Sequence, residues 1–161
     1  PLVLQLGGAE PEVLAEATDI AVSHRGRHFE EFNLNCGCPS SRVTSCERQF
    51  GARLMHEPDT VSACVRAISR ASGSTPVSVK CRLGTDEKHG YQQLKHFVST
   101  VSVGGGVRHF VIHSRECVLD GLTPRQNRSV PPLRPRWAHE LKKDFPDLIF
   151  SINGGITSLD M

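Results

Sequence analysis

The sequence predicts an α/β fold, a partial (β/α)8 TIM barrel with about five βα units, and three observations carry that reading. Five short β-rich runs begin at Leu2, Glu31, Pro76, His109 and Leu148, and helix-like segments separate them, the order that gives a parallel sheet with helical crossovers. Their starts lie roughly 30 to 45 residues apart, near the about 31 per unit of an eight-unit barrel. Polar residues gather on one face toward the end of each run: Gln5; Asn33 and Asn35; Lys80 and Arg82; His113 and Arg115; Asn153. Alternate residues of a strand share a face, and strands offering polar groups from the same end build a barrel mouth.

The elements follow in order. LVLQL (2–6) opens the sheet, and Pro11 in EPEVLAEATDIAV suits a first helical turn, where a missing N–H costs nothing. EFNLN (31–35) is the second strand, and Pro58 starts the next helix in EPDTVSACVRAIS. PVSVKCR (76–82), HFVIHSR (109–115) and LIFSIN (148–153) are the remaining strands, alternating with YQQLKHFVSTV and RWAHELKKDF, which carry apolar residues at helical spacing. A doubly wound open sheet is the alternative. No GxGxxG follows an opening strand, and Gly104–Gly106 precede a strand instead, so the dinucleotide fingerprint is absent.

Composition narrows the function classes. With 161 residues, 38% hydrophobic and 22% charged, the chain is ordinary globular material, long enough for one domain over 1–161. No run of eighteen apolar residues occurs, so no membrane partner is expected, and a soluble, cytoplasmic protein follows, with an organelle as the alternative compartment. A net charge of +2 and pI near 8.4 are too mild to indicate nucleic acid alone. The six cysteines form no CxxC pair, and the single CxC lacks a second pair at zinc spacing; no metal is expected and reduced thiols are the default.

FNLNCGCPS (32–40) separates two of those thiols. Phe32, Leu34 and Cys36 alternate with Asn33 and Asn35, so Cys36 faces the helix layer as a small hydrophobe. Cys38 lies beyond the strand, between Gly37, which lets the chain turn, and Pro39, which stiffens it. That places its sulfur on a loop at the strand's C-terminal end, where chemistry is expected.

Seven motifs, in order and spacing, resemble the flavin-dependent tRNA-dihydrouridine synthases, A-type branch: LQLGG (4–8), NLNCGCPSSRV (33–43), FGARLM (50–55), VKCRLG (79–84), VIHSR (111–115), GLTPRQNRSVPPL (121–133) and INGGI (152–156). The resemblance implies reduction of the C5–C6 double bond of uridines in tRNA, with FMN carrying hydride and NADPH as reductant. It assigns the proton donor to Cys38; an ordinary thiol, mostly protonated at neutral pH, suits that role. It gives Gln5, Lys80, His113 and Asn153 to the flavin, with Gly154 and Gly155 admitting the phosphate end, and Lys80 supporting negative charge on the reduced ring. Asn35 would meet the uracil edge, and Arg82 and Arg115 the nucleotide. Five arginines between 115 and 136 face only Glu116 and Asp120, and Arg125 and Arg128 would touch tRNA phosphate. The target base would have to be flipped out of its stack.

Three positions depart from the family pattern. Glu116 stands where Lys often follows HxR, TSCERQ (44–49) is longer than usual, and Arg53 replaces a small residue. The resemblance further implies that the chain is an internal piece of a monomeric parent, lacking first and last barrel strands and a C-terminal helical tRNA-binding domain. Such a piece alone would be poorly stable and inactive. Two other functions stay open: an RNA-binding relative without chemistry, and another FMN barrel such as a dihydroorotate dehydrogenase.

Overall fold

Each β-rich run becomes a strand in the computed structural model, which describes residues 2–24, 28–40, 49–87 and 90–158. The strands are β1 (Val3–Leu6), β2 (Glu31–Cys36), β3 (Val77–Cys81), β4 (His109–His113) and β5 (Ile149–Asn153). All neighbours are parallel, and the sheet order is the sequence order, β1-β2-β3-β4-β5. Helices α1 (Pro11–Ser23), α2 (Pro58–Ala71), α3 (Tyr91–Gly105) and α4 (Arg136–Asp144) alternate with the strands. This is the βα alternation of a partial TIM barrel.

Helix ends follow local chemistry. Pro11 and Pro58 occupy the first turns of α1 and α2, where no N–H is needed. α3 stops because Gly106 takes a left-handed φ of 76° and returns its N–H to the Ser102 carbonyl at 3.0 Å, a turn that costs a residue without Cβ little.

The strand faces sort as alternation predicts. Phe32, Leu34, Cys36, Val79, Cys81, Phe110 and Ile112 are all buried against the helices. α2 contributes Val61, Val65 and Ile68 to that layer, and α3 contributes Leu94, Phe97 and Val101. Each large apolar side chain buried there stabilises the fold by roughly 1.5–3 kcal/mol. Cys36 pairs in register with Cys81, and burial pushes its thiol well above the ordinary range.

The strands are shorter than the runs. β3 ends at Cys81 and β4 at His113, leaving Arg82 and Arg115 in the loops. Those loops continue the ladder: Leu83 N–H donates to the Arg115 carbonyl (3.2 Å), Cys117 N–H to Gly84 (2.9 Å) and Asp86 N–H to Cys117 (2.8 Å). Two short 3-10 turns, Gly51–His56 and Gln126–Arg128, have no counterpart in the sequence prediction. Most of TSCERQ, with Cys46, lies outside the described residues. Among the described residues no helix is long and apolar enough to cross a membrane.

Candidate active site

The opposite face of the sheet is polar, and its C-terminal end opens into a cavity of about 280 Å³. β1 brings Gln5 to it, the β2 end Asn35 and Cys38, β3 Lys80, the following loop Arg82, β4 His113 and β5 Asn153. Arg128 reaches it from the long loop after β4. A wider groove of about 650 Å³ lies outside the sheet between α1 and α2, lined by Ala15, Ala63, Ala67 and Ala71 with surface charges. Size favours that groove, but the described residues lining it include neither thiol, imidazole nor buried cation, so the smaller cavity is where chemistry is possible.

Cys38 is held by its neighbours. Asn35 Oδ1 accepts from the N–H of Gly37 (3.0 Å) and of Cys38 (3.1 Å), and the Cys38 carbonyl accepts from Ala52 N–H (2.9 Å). A short side chain capping the amides two and three residues on is the ordinary Asx device for fixing a turn. The strand end therefore carries its own clamp.

Lys80 makes no hydrogen bond or ion pair with any described residue. Burial, and then the neighbouring Arg82, lowers its pKa. His113 is 7% exposed, and its Nδ1 is buried without a partner. Burial first, then Arg82, Lys80 and Arg115, brings its pKa down to about 4, so the ring is neutral at physiological pH and keeps one N–H to donate. Gly154, at φ 94°, packs on that ring: a Cβ there would lie 2.9 Å from Nε2. Gly155 backs onto Leu133, whose side chain would collide with any Cβ.

Arg82 is 4% exposed and has no carboxylate partner among the described residues. Its Nε donates to the Gly37 carbonyl (3.2 Å), and Nη1 donates to those of Glu116 (3.3 Å) and Asn127 (2.7 Å). Three carbonyls thus replace the water a buried guanidinium loses. Arg115, expected beside the nucleotide, turns away from the cavity and donates to the Pro131 carbonyl, with its Nε buried and unpartnered. Arg125 is exposed outside the cavity. Glu116 pairs with Arg134 at 3.3 Å and Arg53 with Glu87 at 2.6 Å, so both departures from the family pattern find local partners.

Among the described residues no carboxylate lines the cavity, whereas Lys80, Arg82 and Arg128 do. The lining favours an electron-rich or anionic ligand. The model of the dihydrouridine synthase (Dus) family matches residues 1–161. The chain belongs to the dihydrouridine synthase family.

Relatives of the chain include proteins named tRNA-dihydrouridine(20/20a) synthase. One from Xylella fastidiosa is 49% identical over 160 residues, 99% of this chain and 45% of the relative. Others from Synechocystis and Vibrio cholerae are 46% and 45% identical, again over 99% of this chain and 46% and 47% of theirs. The chain spans about half the length of the curated relatives it matches.

Two parts of the Dus site escape the sequence reading. Asn127 is fully buried: its Oδ1 accepts from Val118 N–H (2.8 Å), and its Nδ2 donates to the Val118 carbonyl (2.9 Å), ordering the loop that carries Arg128. Nothing in its aperiodic loop marks it. Beneath the mouth, Glu31, Ser78, His109 and Ser151 add a second polar layer. All four share alternation parity with polar residues already picked out on their own strands, a usable signal: Glu31 with Asn33, Ser78 with Lys80, His109 with His113, Ser151 with Asn153.

Proposed function

We propose that the parent protein reduces uridines in tRNA to dihydrouridine, with FMN as hydride carrier, NADPH as reductant and Cys38 as proton donor. The carrying observation is the meeting, at one set of strand ends, of a clamped thiol with the buried His113 Nδ1, which has no partner, and the half-buried Lys80, which makes no hydrogen bond or ion pair with a described residue. A buried polar atom without a partner costs free energy unless a ligand supplies one, and a flavin's ring carbonyls and phosphate are acceptors suited to an ammonium and an imidazole N–H. The donor set fits FMN.

Gln5, Lys80, His113 and Asn153 would hold the cofactor, with the backbone of Gly154 and Gly155 open to close approach. Bound there and reduced, FMN supplies hydride to uracil C6. Cys38 delivers a proton from Sγ to C5. Asn35, beside it, offers its amide to the uracil edge, and Arg82, Arg115, Arg125 and Arg128 serve the nucleotide and its phosphates, directly or by shaping the wall. The names of the relatives support tRNA as the substrate.

Purified full-length protein should carry flavin absorbance and form dihydrouridine on unmodified tRNA with NADPH. Replacing Lys80 and His113 together by Ala should abolish the absorbance. A flavin-free wild type, a double variant with stoichiometric flavin, or no dihydrouridine would each sink the reading.

A further inference from the structure

Six polar side chains cross the inner face of the sheet in one directed chain. Asn35 Nδ2 donates to Gln5 Oε1 (3.2 Å), Gln5 Nε2 to Asn33 Oδ1 (2.7 Å), Asn33 Nδ2 to Ser78 Oγ (2.8 Å), and the Ser78 hydroxyl to Glu31 Oε1 (2.5 Å). The other Glu31 oxygen meets His109 Nδ1 at 2.8 Å. Register explains the reach, since Gln5 stands beside Asn33 and Asn33 beside Ser78 on adjacent strands.

The direction is forced from both ends. Asn35 Oδ1 faces two backbone N–H groups, Gly37 and Cys38, so a flipped amide would set donors against donors. With that oxygen fixed, each amide in turn has a single satisfying orientation. At the far end a carboxylate accepts only, so the Ser78 hydroxyl must point at it and leave its lone pair to Asn33. Asn33 and Ser78 are buried, where a reversed amide would strand polar groups without water.

We infer that Glu31 is a positioning residue, which acts through Ser78, Asn33 and Gln5 to fix the Asn35 amide and, with it, the loop that presents Cys38. The inference rests on the proposal that Cys38 is the proton donor. It assigns work to a carboxylate four side chains from the thiol.

In the full-length protein, Glu31→Gln keeps an acceptor for Ser78 and can donate to His109, so it should behave as wild type. Glu31→Leu and Ser78→Ala remove the anchor. Both should still take up flavin through Lys80, His113 and Asn153 and be reduced by NADPH, yet slow single-turnover dihydrouridine formation by about tenfold or more, within the roughly hundredfold that a misplacement near 1 Å costs. Iodoacetamide should label Cys38 faster in those two variants, in flavin-free protein, and at the wild-type rate in Glu31→Gln. Should Glu31→Leu fail to fold, Ser78→Ala decides alone. Unchanged labelling and turnover in Ser78→Ala, or a Glu31→Gln as impaired as Glu31→Leu, overturns the inference. A fully active Cys38→Ala would remove the donor assignment instead, while the labelling result still reads the chain of amides.

Discussion

Arg82 Nη1 lies 2.7 Å from the Asn127 carbonyl, so one guanidinium fastens the Arg128 loop to the barrel while its Nε holds Gly37, next to Cys38. The loop proposed to meet tRNA and the loop that carries the proposed acid share one buried cation.

Replacing Arg82 by Met should therefore loosen both loops together. We expect a stability loss of about 1.5–3 kcal/mol, the worth of a hydrogen bond to a charged group, since the buried Asn127 carbonyl loses its donor. Limited proteolysis should move to residues 117–131. Arg82→Lys should not rescue, because one ammonium cannot span carbonyls that a planar fork reaches. A protease pattern identical to wild type in Arg82→Met would refute the coupling.

Cys38 and Cys36 should part company by chemistry. Cys38→Ala is expected to bind FMN and accept electrons from NADPH but to lose about 10² to 10⁴ in dihydrouridine formation, the usual worth of a positioned acid. Cys36, buried among Phe32, Leu34 and Cys81, should when trimmed to Ala lose about 1 kcal/mol of stability and keep its turnover. Single-turnover assays with pre-reduced flavin distinguish the two, and a dead Cys36→Ala beside a normal Cys38→Ala reverses the assignment.

The Arg125 and Arg128 pair should govern salt dependence. Removing both charges should lower the slope of log affinity for tRNA against log salt by about 0.7 to 0.9 per lost phosphate contact. Because Arg128 lines the cavity and Arg125 does not, Arg128→Ala alone should also raise KM for tRNA under single-substrate conditions. A slope that matches wild type makes the loop ordinary solvated surface.

His113 links the site to acid stability. Its folded pKa, about 4, lies below the ordinary 6.5. As pH falls from about 6.5 toward 4 the unfolded chain binds a proton that the folded site refuses, so stability drops across that window. A His113→Gln variant lacks this contribution, and its denaturation midpoint should fall less over the same interval. Parallel curves for the two proteins would contradict a buried neutral imidazole.

Strand parity made most of the mouth legible in the sequence: the alternation of Phe32, Leu34 and Cys36 with Asn33 and Asn35 separates core from cavity without coordinates. Parity also covers Glu31 and Ser78, but they sit toward the strand starts, where polar residues do not announce a mouth. Asn127 and the contacts of Arg82 were beyond reach for a different reason. Their partners come from separate loops, and an aperiodic loop gives no pattern from which to infer which carbonyl a guanidinium will find. The short 3-10 turns at Gly51–His56 and Gln126–Arg128 escape likewise, being too brief for any hydrophobic period.

The sheet order β1-β2-β3-β4-β5 also sets a timetable. Every strand after the first meets a neighbour that the ribosome has already released, and each pairing waits only for one intervening helix. Asn33 and its partner Ser78 lie 45 residues apart, so each parallel pairing closes a long loop and is slow, yet the nascent chain can lengthen its sheet one strand at a time during synthesis. The same order leaves the newest strand as the growing edge throughout.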